Sequence, residues 1–352
     1  MFPTEPSRTS GLAKLCALIA LTLAVPLGLH ALNARFAPSG VPESYLPALE
    51  GPRIRAAFEP KTGQQLAQLD PAYVVIGDSM AGTRVHATRL SQLAGGTAAP
   101  VLQAGSGSAY WYLALKNWVI ASGVRPKVAF IFFRDTNLTD VMFRLDEGFR
   151  WNIDRVALDE EPALNAMIAA RTGAIRYRTR STLERAYGAD RSRLWLPDGL
   201  SNRLARALEP SLRRRQAFIR AMNARFDFRH LRPFEAADVA DAVDRDADFD
   251  YYVSRSVLPL MLDEANRAGI TLCFVRVQRR PVDNRPPYQS TALREYMVAL
   301  RTYVESRGAI LHDDTGDPSL PLDMYEDGDH VKVAWRVRYT ENLYERLSPR
   351  LP

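Results

Sequence analysis

Short apolar runs alternate along this chain with segments of helical character, and this alternation restricts the possible fold more than any other feature. The runs are residues 72–76, 100–103, 127–133, 270–277 and 309–312. Runs that are apolar at consecutive positions are typical of strands buried on both faces of a parallel sheet. Helices are predicted up to about residue 93 after the first run, and at 108–122, 251–268, 291–307 and 334–347. The pattern predicts an α/β domain with a doubly wound parallel sheet.

The alternation stops over about residues 139–248. This segment is helical in character and rich in arginine, as in residues 212–216. With 352 residues, 47% hydrophobic and 24% charged, the chain has the composition of a globular protein. Its length allows about two domains, or one large domain with an insertion. We therefore predict a helical insertion at about 139–248 in a domain that spans 70–352.

An apolar segment near the N-terminus is long enough to cross a membrane. Residues 15–29 are almost all apolar, and the run extends to residue 32. About 18–20 helical residues cross a hydrocarbon core of roughly 30 Å. Basic residues precede the run, which favours a cytoplasmic N-terminus. The sequence predicts a cytoplasmic tail at 1–11, a transmembrane anchor at 12–32 and a stalk at 33–69, in a single-pass protein of the inner (cytoplasmic) membrane.

A cleaved signal peptide is the competing interpretation of the same segment. Cleavage requires small residues in an Ala-x-Ala pattern. Residues 29–34 read Leu-His-Ala-Leu-Asn-Ala and offer no good pair, so a retained anchor is favoured. Both interpretations place the large domain outside the cytoplasm, in the periplasm or an equivalent space.

Charge and cysteine content argue against several classes of partner. The net charge is +6, a modest excess that fits a solvated basic surface, and no nucleic-acid-binding motif is present. We predict no nucleic-acid partner. The two cysteines are Cys16, in the apolar segment, and Cys273, in a predicted strand, so no disulfide is expected. No zinc-ligand spacing occurs, and neither a metal nor a cofactor is predicted.

The first predicted strand leads directly into Gly77, Asp78 and Ser79. In open α/β sheets, functional sites lie at the carboxyl ends of the strands. Ser79 is therefore expected at that edge, where backbone N–H groups at a helix N-terminus can stabilise an oxyanion. The alternative is an ordinary helix cap, since Asp and Ser are common N-cap residues. Because a serine is a poor nucleophile alone, the motif requires a base elsewhere in the chain.

A second motif lies near the C-terminus, where Asp327 and His330 are three residues apart. On a turn before the last helix, both side chains can face the same way. Asp327 can then accept from one imidazole nitrogen while the other takes the serine proton. Asp323 and Asp329 are weaker candidates for the acid. The alternatives are an acidic loop, or a cation site formed by Glu326, Asp327 and Asp329, although the spacing is not that of a calcium loop.

Together the two motifs resemble the SGNH (GDSL-like) hydrolase superfamily. Its members carry Gly-Asp-Ser after the first strand and Asp-x-x-His near the end, which correspond here to Ser79, Asp327 and His330. The resemblance covers roughly residues 70–135 and 251–347 and not the insertion. It implies a flavodoxin-like three-layer sandwich and a serine hydrolase or acyltransferase with this catalytic triad.

The resemblance also implies oxyanion donors after the second and third strands. Gly107 best matches the family glycine, and Gly105 is the alternative. Asn137 lies close to the place of the family asparagine, although the usual Gly-x-Asn-Asp is absent, and an ordinary turn residue is an equal interpretation. Arg134 and Asp135 are an alternative feature of this segment, expected to pair and to shape the pocket.

An N-terminal anchor followed by an exported SGNH domain is similar to proteins that modify cell-surface glycans, as in alginate O-acetylation. The resemblance implies acyl transfer to, or ester removal from, an extracytoplasmic glycan or its precursor, beside a multispanning membrane acyltransferase. The alternatives are a lipase or thioesterase that acts on small lipids, and a non-catalytic glycan-binding scaffold. A groove lined by arginines and aromatic side chains would favour a glycan, and a closed apolar pocket would favour a lipid. The arginine-rich insertion would suit an acidic polymer.

Overall fold

The computed structural model describes residues 8–36, 56–145, 149–158, 161–172, 247–281, 288–326 and 328–352. The chain separates into two compact units, residues 1–55 with 172–234, and residues 56–171 with 235–352. In the first unit, helix α1 spans Arg8–Phe36. Its segment Ala13–Leu32 has a mean hydropathy of 2.2 and is long and apolar enough to cross a membrane. It is also unburied, as the predicted anchor requires.

The second unit is built on a parallel sheet of five strands. The strands are β1 (Tyr73–Gly77), β2 (Ala98–Leu102), β3 (Val128–Phe133), β4 (Thr271–Arg276) and β5 (Ile310–Asp313). Their order across the sheet is β2-β1-β3-β4-β5, and all neighbouring pairs are parallel. The predicted α/β domain with a parallel sheet is confirmed, and each predicted strand overlaps an observed one.

This strand order contains one reversal of direction across the sheet. From β1 the chain moves to β2 at one edge, and it then crosses back over β1 to β3. Where the connections after two neighbouring strands run in opposite directions, a crevice opens at the carboxyl ends of those strands. Open α/β sheets bind ligands in this crevice. The segments after β1 and β3 therefore meet at the place where a site is expected.

Helices fill the connections between the strands. They are α2 (Lys61–Leu69), α3 (Ser79–Arg84), α4 (Ala87–Ala94), α5 (Ser108–Ala114), α6 (Arg150–Val156), α7 (Pro162–Thr172), α8 (Phe249–Val253), α9 (Leu258–Ala268), α10 (Thr291–Glu305) and α11 (Arg336–Leu347). The segment predicted as helical up to residue 93 is two helices. Val85 is extended, and the His86 side chain caps α4 by accepting from Arg89 N at 3.1 Å.

The central strands are buried on both faces. On one face of β1, Tyr73 and Val75 belong to a core that also contains residues of α3, α4 and α11. Val74 and Ile76 point the other way and are fully buried as well. Burial of alternate residues on both sides explains why these strands read as continuous apolar runs instead of alternating ones.

Helix α2 lies within the segment predicted to be a stalk, and no helix was predicted there. Its Leu66 is buried, and the helix packs against β2 and against the π-helical turn Leu115–Ile120 that continues α5. Just before the helix, the carbonyl of Glu59 accepts from Trp118 Nε1 at 2.7 Å. Residues 56–69 thus pack with the sheet domain.

Most of the predicted insertion lies outside the described residues, including the arginine-rich stretch 212–216. The parts that the structure describes are a turn region after β3, helices α6 and α7, and residues 247–248 directly before α8. Helix α6 packs against α5, so at least this part of the segment adds to the sheet domain.

Candidate active site

Ser79 is the first residue of α3, directly beyond the carboxyl end of β1. Asp78 caps this helix, because its Oδ1 accepts from Met80 N at 2.8 Å. The turn requires a glycine at position 77, since a Cβ there would lie 2.6 Å from the Cβ of Ala81. The two residues before the serine therefore have local structural roles: one admits the helix close to the strand, and the other starts the helix.

His330 meets Ser79 from the far end of the chain. Its Nε2 lies 2.9 Å from Ser79 Oγ, which is the distance of a hydrogen bond. In the neutral tautomer that carries hydrogen on Nδ1, Nε2 accepts from the serine hydroxyl and is placed to remove its proton. The proximity expected of these two residues is thus observed, across 251 positions of sequence.

Asp327, the expected acid of the triad, lies outside the described residues. Its contact with the other imidazole nitrogen stays a prediction. The alternative Asp329 has other partners: its Oδ2 accepts from an Arg134 guanidinium nitrogen at 2.5 Å, and its Oδ1 accepts from Arg280 N at 2.9 Å. Asp323 is exposed on a one-turn helix.

The electrostatic surroundings differ for Asp78 and Asp329, the two aspartates that directly precede Ser79 and His330. Burial raises the pKa of Asp78 above its usual value, and the Met80 N–H and the charge of Arg144 only partly oppose this. Arg144 approaches the Asp78 carboxylate to 3.6 Å. Burial also acts to raise the pKa of Asp329, but Arg134 and the Arg280 N–H outweigh it and hold that pKa below its usual value. Asp329 is therefore ionised at neutral pH.

Gly107 is the N-cap residue of α5, on the loop that leaves β2, and β2 is the neighbour of the strand that leads to Ser79. Gln103 N and Ser106 Oγ both donate to the carbonyl of Gly77, at 3.0 and 3.3 Å, and join this loop to the end of β1. A Cβ on Gly107 would lie 2.4 Å from the carbonyl oxygen of Phe143. Gly105, the alternative, has a φ of +71°, and a Cβ there would meet the ring of Phe149. Gly107 is thus required by the close approach of the Phe143 carbonyl, and Gly105 by its left-handed backbone conformation.

Asn137 lies in the turn after β3. This strand is the neighbour of β1, which leads to Ser79. Its backbone N–H donates to the carbonyl of Arg134 at 3.0 Å. Its side-chain Nδ2 is buried, and within the described part of the chain it has no hydrogen-bond partner. A buried donor without a partner costs about 1–3 kcal/mol. Such groups are rare in native structures, and a ligand that supplies the missing acceptor is one explanation for them.

Arg134 and Asp135 do not pair with each other, and that expectation was wrong. Asp135 accepts from two arginines at the end of β4, from Arg276, its last residue, at 2.7 Å and from Arg279, three residues further, at 2.5 Å. Arg134 turns instead to Asp329. Asp135 has a φ of +49° in the turn after β3, and this change of backbone direction lets the two side chains reach different partners.

The edge of the site carries arginines and aromatic side chains. The Arg144 guanidinium lies 4.9 Å from the ring centre of Phe143 and 5.5 Å from that of Phe149, and about a third of it is exposed. Trp151 is about half exposed on α6. Among the described residues, no group of three or more His, Cys, Asp or Glu side chains is arranged to hold a metal ion.

One buried residue of the site gave no signal in the sequence. Arg84 lies at the end of α3, and its guanidinium contacts the main chain of three segments around Ser79 and His330. An arginine in the last turn of a short helix normally predicts a solvated side chain, and only the folded arrangement reveals its burial.

The sequence matches no protein-family model and no curated protein.

Proposed function

We propose that this chain is a serine esterase or O-acyltransferase of the SGNH type, acting on acyl esters, with acetyl the favoured group, of an extracytoplasmic glycan. The observation that carries the proposal is the 2.9 Å contact between Ser79 Oγ and His330 Nε2, at the carboxyl edge of the sheet beside the reversal of strand order. A serine beside an imidazole base is the minimal arrangement for covalent acyl transfer.

The proposed reaction has two steps on the same serine. His330 removes the proton of Ser79 as its Oγ attacks the acyl carbonyl, and the protonated imidazole then gives that proton to the leaving alcohol. An acyl-enzyme remains on Ser79. In the second step, His330 activates water or a sugar hydroxyl, and attack on the acyl group restores the free serine. Asp327 is assigned the role of orienting the imidazole.

Three donors are proposed for the oxyanion that forms in both steps. They are the backbone N–H groups of Ser79 and Gly107 and the side-chain Nδ2 of Asn137. The positions of these residues after β1, β2 and β3 support this assignment, because the three strands are neighbours in the sheet. The buried, unpartnered Nδ2 of Asn137 supports its role, since a developing oxyanion supplies the acceptor it lacks.

The rim of the site favours a glycan over a lipid. Arg134 and Arg144 keep about 27% and 33% of their side chains exposed beside the reacting pair. Phe149 and Trp151 follow Arg144 closely in the sequence, and their rings are partly exposed. Exposed aromatic rings pack on the apolar faces of sugar rings. An acyl-chain tunnel for lipids would need a lining without charges.

The proposal includes a fold and a location. Burial of both sheet faces supports a flavodoxin-like three-layer sandwich. The apolar helix α1 supports a single-pass anchor in the cytoplasmic membrane, with the catalytic domain in the periplasm. A multispanning acyltransferase that supplies the acyl group is the proposed partner.

The test is labelling of the full-length protein with a fluorophosphonate, together with hydrolysis of esters of increasing acyl length, with and without acidic glycans. We expect a mass shift on Ser79 and loss of labelling in Ser79→Ala and His330→Ala. Ser122→Ala is the matched control, because Ser122 donates to a carbonyl at the end of the π-helical turn. Unchanged labelling in Ser79→Ala, or full esterase activity in His330→Ala, would rule out the mechanism.

A further inference from the structure

Arg84 is a fully buried arginine, five residues after Ser79. Its two terminal nitrogens donate to three backbone carbonyls, those of Met80 at 3.3 Å, Asp329 at 2.8 Å and Gln278 at 3.0 Å. A buried guanidinium is costly unless its donors are used. An arginine that directs them to main-chain oxygens fixes where those segments lie.

The three carbonyls belong to three parts of the candidate site. Met80 follows the nucleophile in α3, and Asp329 directly precedes His330. Gln278 follows β4. One side chain therefore joins the helix of Ser79 to the loop of the base, and it anchors both to the edge of the sheet.

Asp329 is held from a second side through its carboxylate. Arg134 donates to Oδ2 from the end of β3, and the N–H of Arg280 donates to Oδ1. The residue before the imidazole thus has its carbonyl and both carboxylate oxygens engaged. Asp329 serves as an attachment point, although its sequence position suggested a candidate acid.

The loop around His330 depends on such attachments. The described main-chain bonds lie at its ends, where Glu326 N donates to the carbonyl of His330 at 2.9 Å and Val331 N donates to Thr83 Oγ1 at 3.3 Å. Gly328 has a φ of +44°, a conformation that glycine adopts at little cost. Between these points, Asp329 is fixed by the two arginines and by Arg280 N.

We propose that Arg84 and Arg134 are positioning residues that keep His330 within hydrogen-bond reach of Ser79 by holding Asp329 at its carbonyl and at its carboxylate. The catalytic consequence rests on the proposed function. A displacement of about 1 Å at a catalytic group can cost about 10²-fold in rate. Losing either arginine is therefore expected to slow acylation of Ser79 without changing the number of competent sites.

The first test measures fluorophosphonate labelling of the full-length protein in detergent, as a rate constant and as a final amplitude. Arg84→Met and Arg134→Met should lower the rate constant about 10- to 100-fold at full amplitude. Arg84→Lys should recover part of the rate, because an ammonium group also donates to carbonyls. A merely structural role would lower the amplitude and leave the rate constant of the remaining sites unchanged.

Two arginines serve as matched controls. Arg336 donates to the carbonyl of Val85 at 2.8 Å, at the end of α3, but it does not contact Asp329. Arg89 forms a comparable ion pair with Glu341 at 2.7 Å. Arg336→Met and Arg89→Met should keep the rate constant of the parent protein. If Arg84→Met fails to fold, the partly exposed Arg134 carries the test.

The second test does not depend on turnover. In protein with isotope-labelled histidines, the Nε2 chemical shift of His330 is followed by NMR at fixed pH, with and without the Ser79 hydroxyl that contacts it. Ser79→Ala should change this chemical shift in the parent background and have little effect in Arg84→Met or Arg134→Met, because the imidazole no longer meets residue 79. If the parent protein shows this effect of Ser79→Ala on His330 but is not labelled by the fluorophosphonate, the proposed function is refuted and the positioning role is supported. If Ser79→Ala has the same effect on His330 in all three backgrounds, or if the labelling rates are unchanged, the positioning role is overturned.

Discussion

Asp78 combines two effects at the scale of a single residue: its carboxylate caps α3, and it is buried at a cost. Asparagine caps helices about as well as aspartate and carries no charge. Because the folded-state pKa of Asp78 is raised, the folded protein binds more protons than the unfolded chain between the two pKa values. Stability from this group is therefore present at low pH and is lost as pH rises through the folded pKa.

We accordingly predict that Asp78→Asn becomes more stable relative to the parent protein as pH rises from about 4 to 7, the range that starts at the ordinary pKa of aspartate. Urea unfolding of both proteins across this range measures the difference. A difference that is constant with pH, or that shrinks as pH rises, would contradict the raised pKa. Asp78→Ala should be less stable than Asp78→Asn at every pH, by about 0.5–2 kcal/mol, because the cap is lost.

Asn137 allows activity and stability to be separated. Asn137→Ala removes a buried donor that has no described partner, so the free energy of unfolding should stay the same or rise. Turnover should fall by up to about 10²–10³-fold, the usual cost of losing one oxyanion donor, and by less than in Ser79→Ala. Ester hydrolysis and urea unfolding of the same preparation check both parts.

Asn117 is the matched control for this prediction. Its Nδ2 donates to the carbonyl of Val156 and to Glu161 Oε1, both at 2.8 Å. Asn117→Ala should lower stability by about 1–3 kcal/mol, because it leaves buried acceptors unpaired, and it should leave the turnover of the folded protein unchanged. If Asn137→Ala behaves like Asn117→Ala, Asn137 is an ordinary turn residue.

At the scale of elements, the close packing of α3 on β1 determines where Ser79 lies. Alanine substitutions at two glycines of this region are expected to have opposite effects on stability. Gly77→Ala places a Cβ 2.6 Å from that of Ala81, so α3 must move away from the strand. At Gly82, inside α3, the nearest atom to a Cβ is Leu102 Cδ1 at 3.7 Å, an ordinary contact.

Gly77→Ala should therefore lower both the melting temperature and the labelling rate of Ser79. Gly82→Ala should raise stability by about 0.5–1 kcal/mol, because alanine loses less backbone entropy in a helix. Thermal unfolding and fluorophosphonate labelling of the two variants give the comparison. Normal labelling in Gly77→Ala would show that the position of Ser79 does not depend on this contact.

The elements that the sequence predicted well are those whose signal is local. Strands buried on both faces read as apolar runs, so β1, β3 and β4 were located within one residue at each end. The short helix α2 was missed because its glycine and polar residues give little apolar periodicity, and tertiary packing on the sheet stabilises it. The contact of Ser79 with His330 followed from two motifs, whereas the partners of Arg84, Arg134 and Asp135 depend on long-range placement that no local pattern encodes.

At the scale of the whole molecule, the apolar helix α1 and the sheet domain predict a protein fixed to a membrane by one segment. Segment Ala13–Leu32 has no charged residue after Lys14. The full-length protein should remain with membranes after washing at high salt and be released by detergent, because burial in lipid is insensitive to ionic strength. A shortened soluble form would establish cleavage instead.

The orientation of that segment can be tested with an introduced cysteine, because the two native cysteines should not react. Cys16 lies within the apolar segment and should resist a membrane-impermeant maleimide, and Cys273 is fully buried. Burial also raises the pKa of the Cys273 thiol, which further suppresses its reaction.

Val298 is 68% exposed on α10, so Val298→Cys supplies an accessible thiol on the sheet domain. In cells whose outer barrier has been made permeable, this thiol should react from outside without lysis, since the basic residues before the apolar run favour a cytoplasmic N-terminus. Reaction only after lysis would place the sheet domain in the cytoplasm and exclude an extracytoplasmic glycan as its substrate.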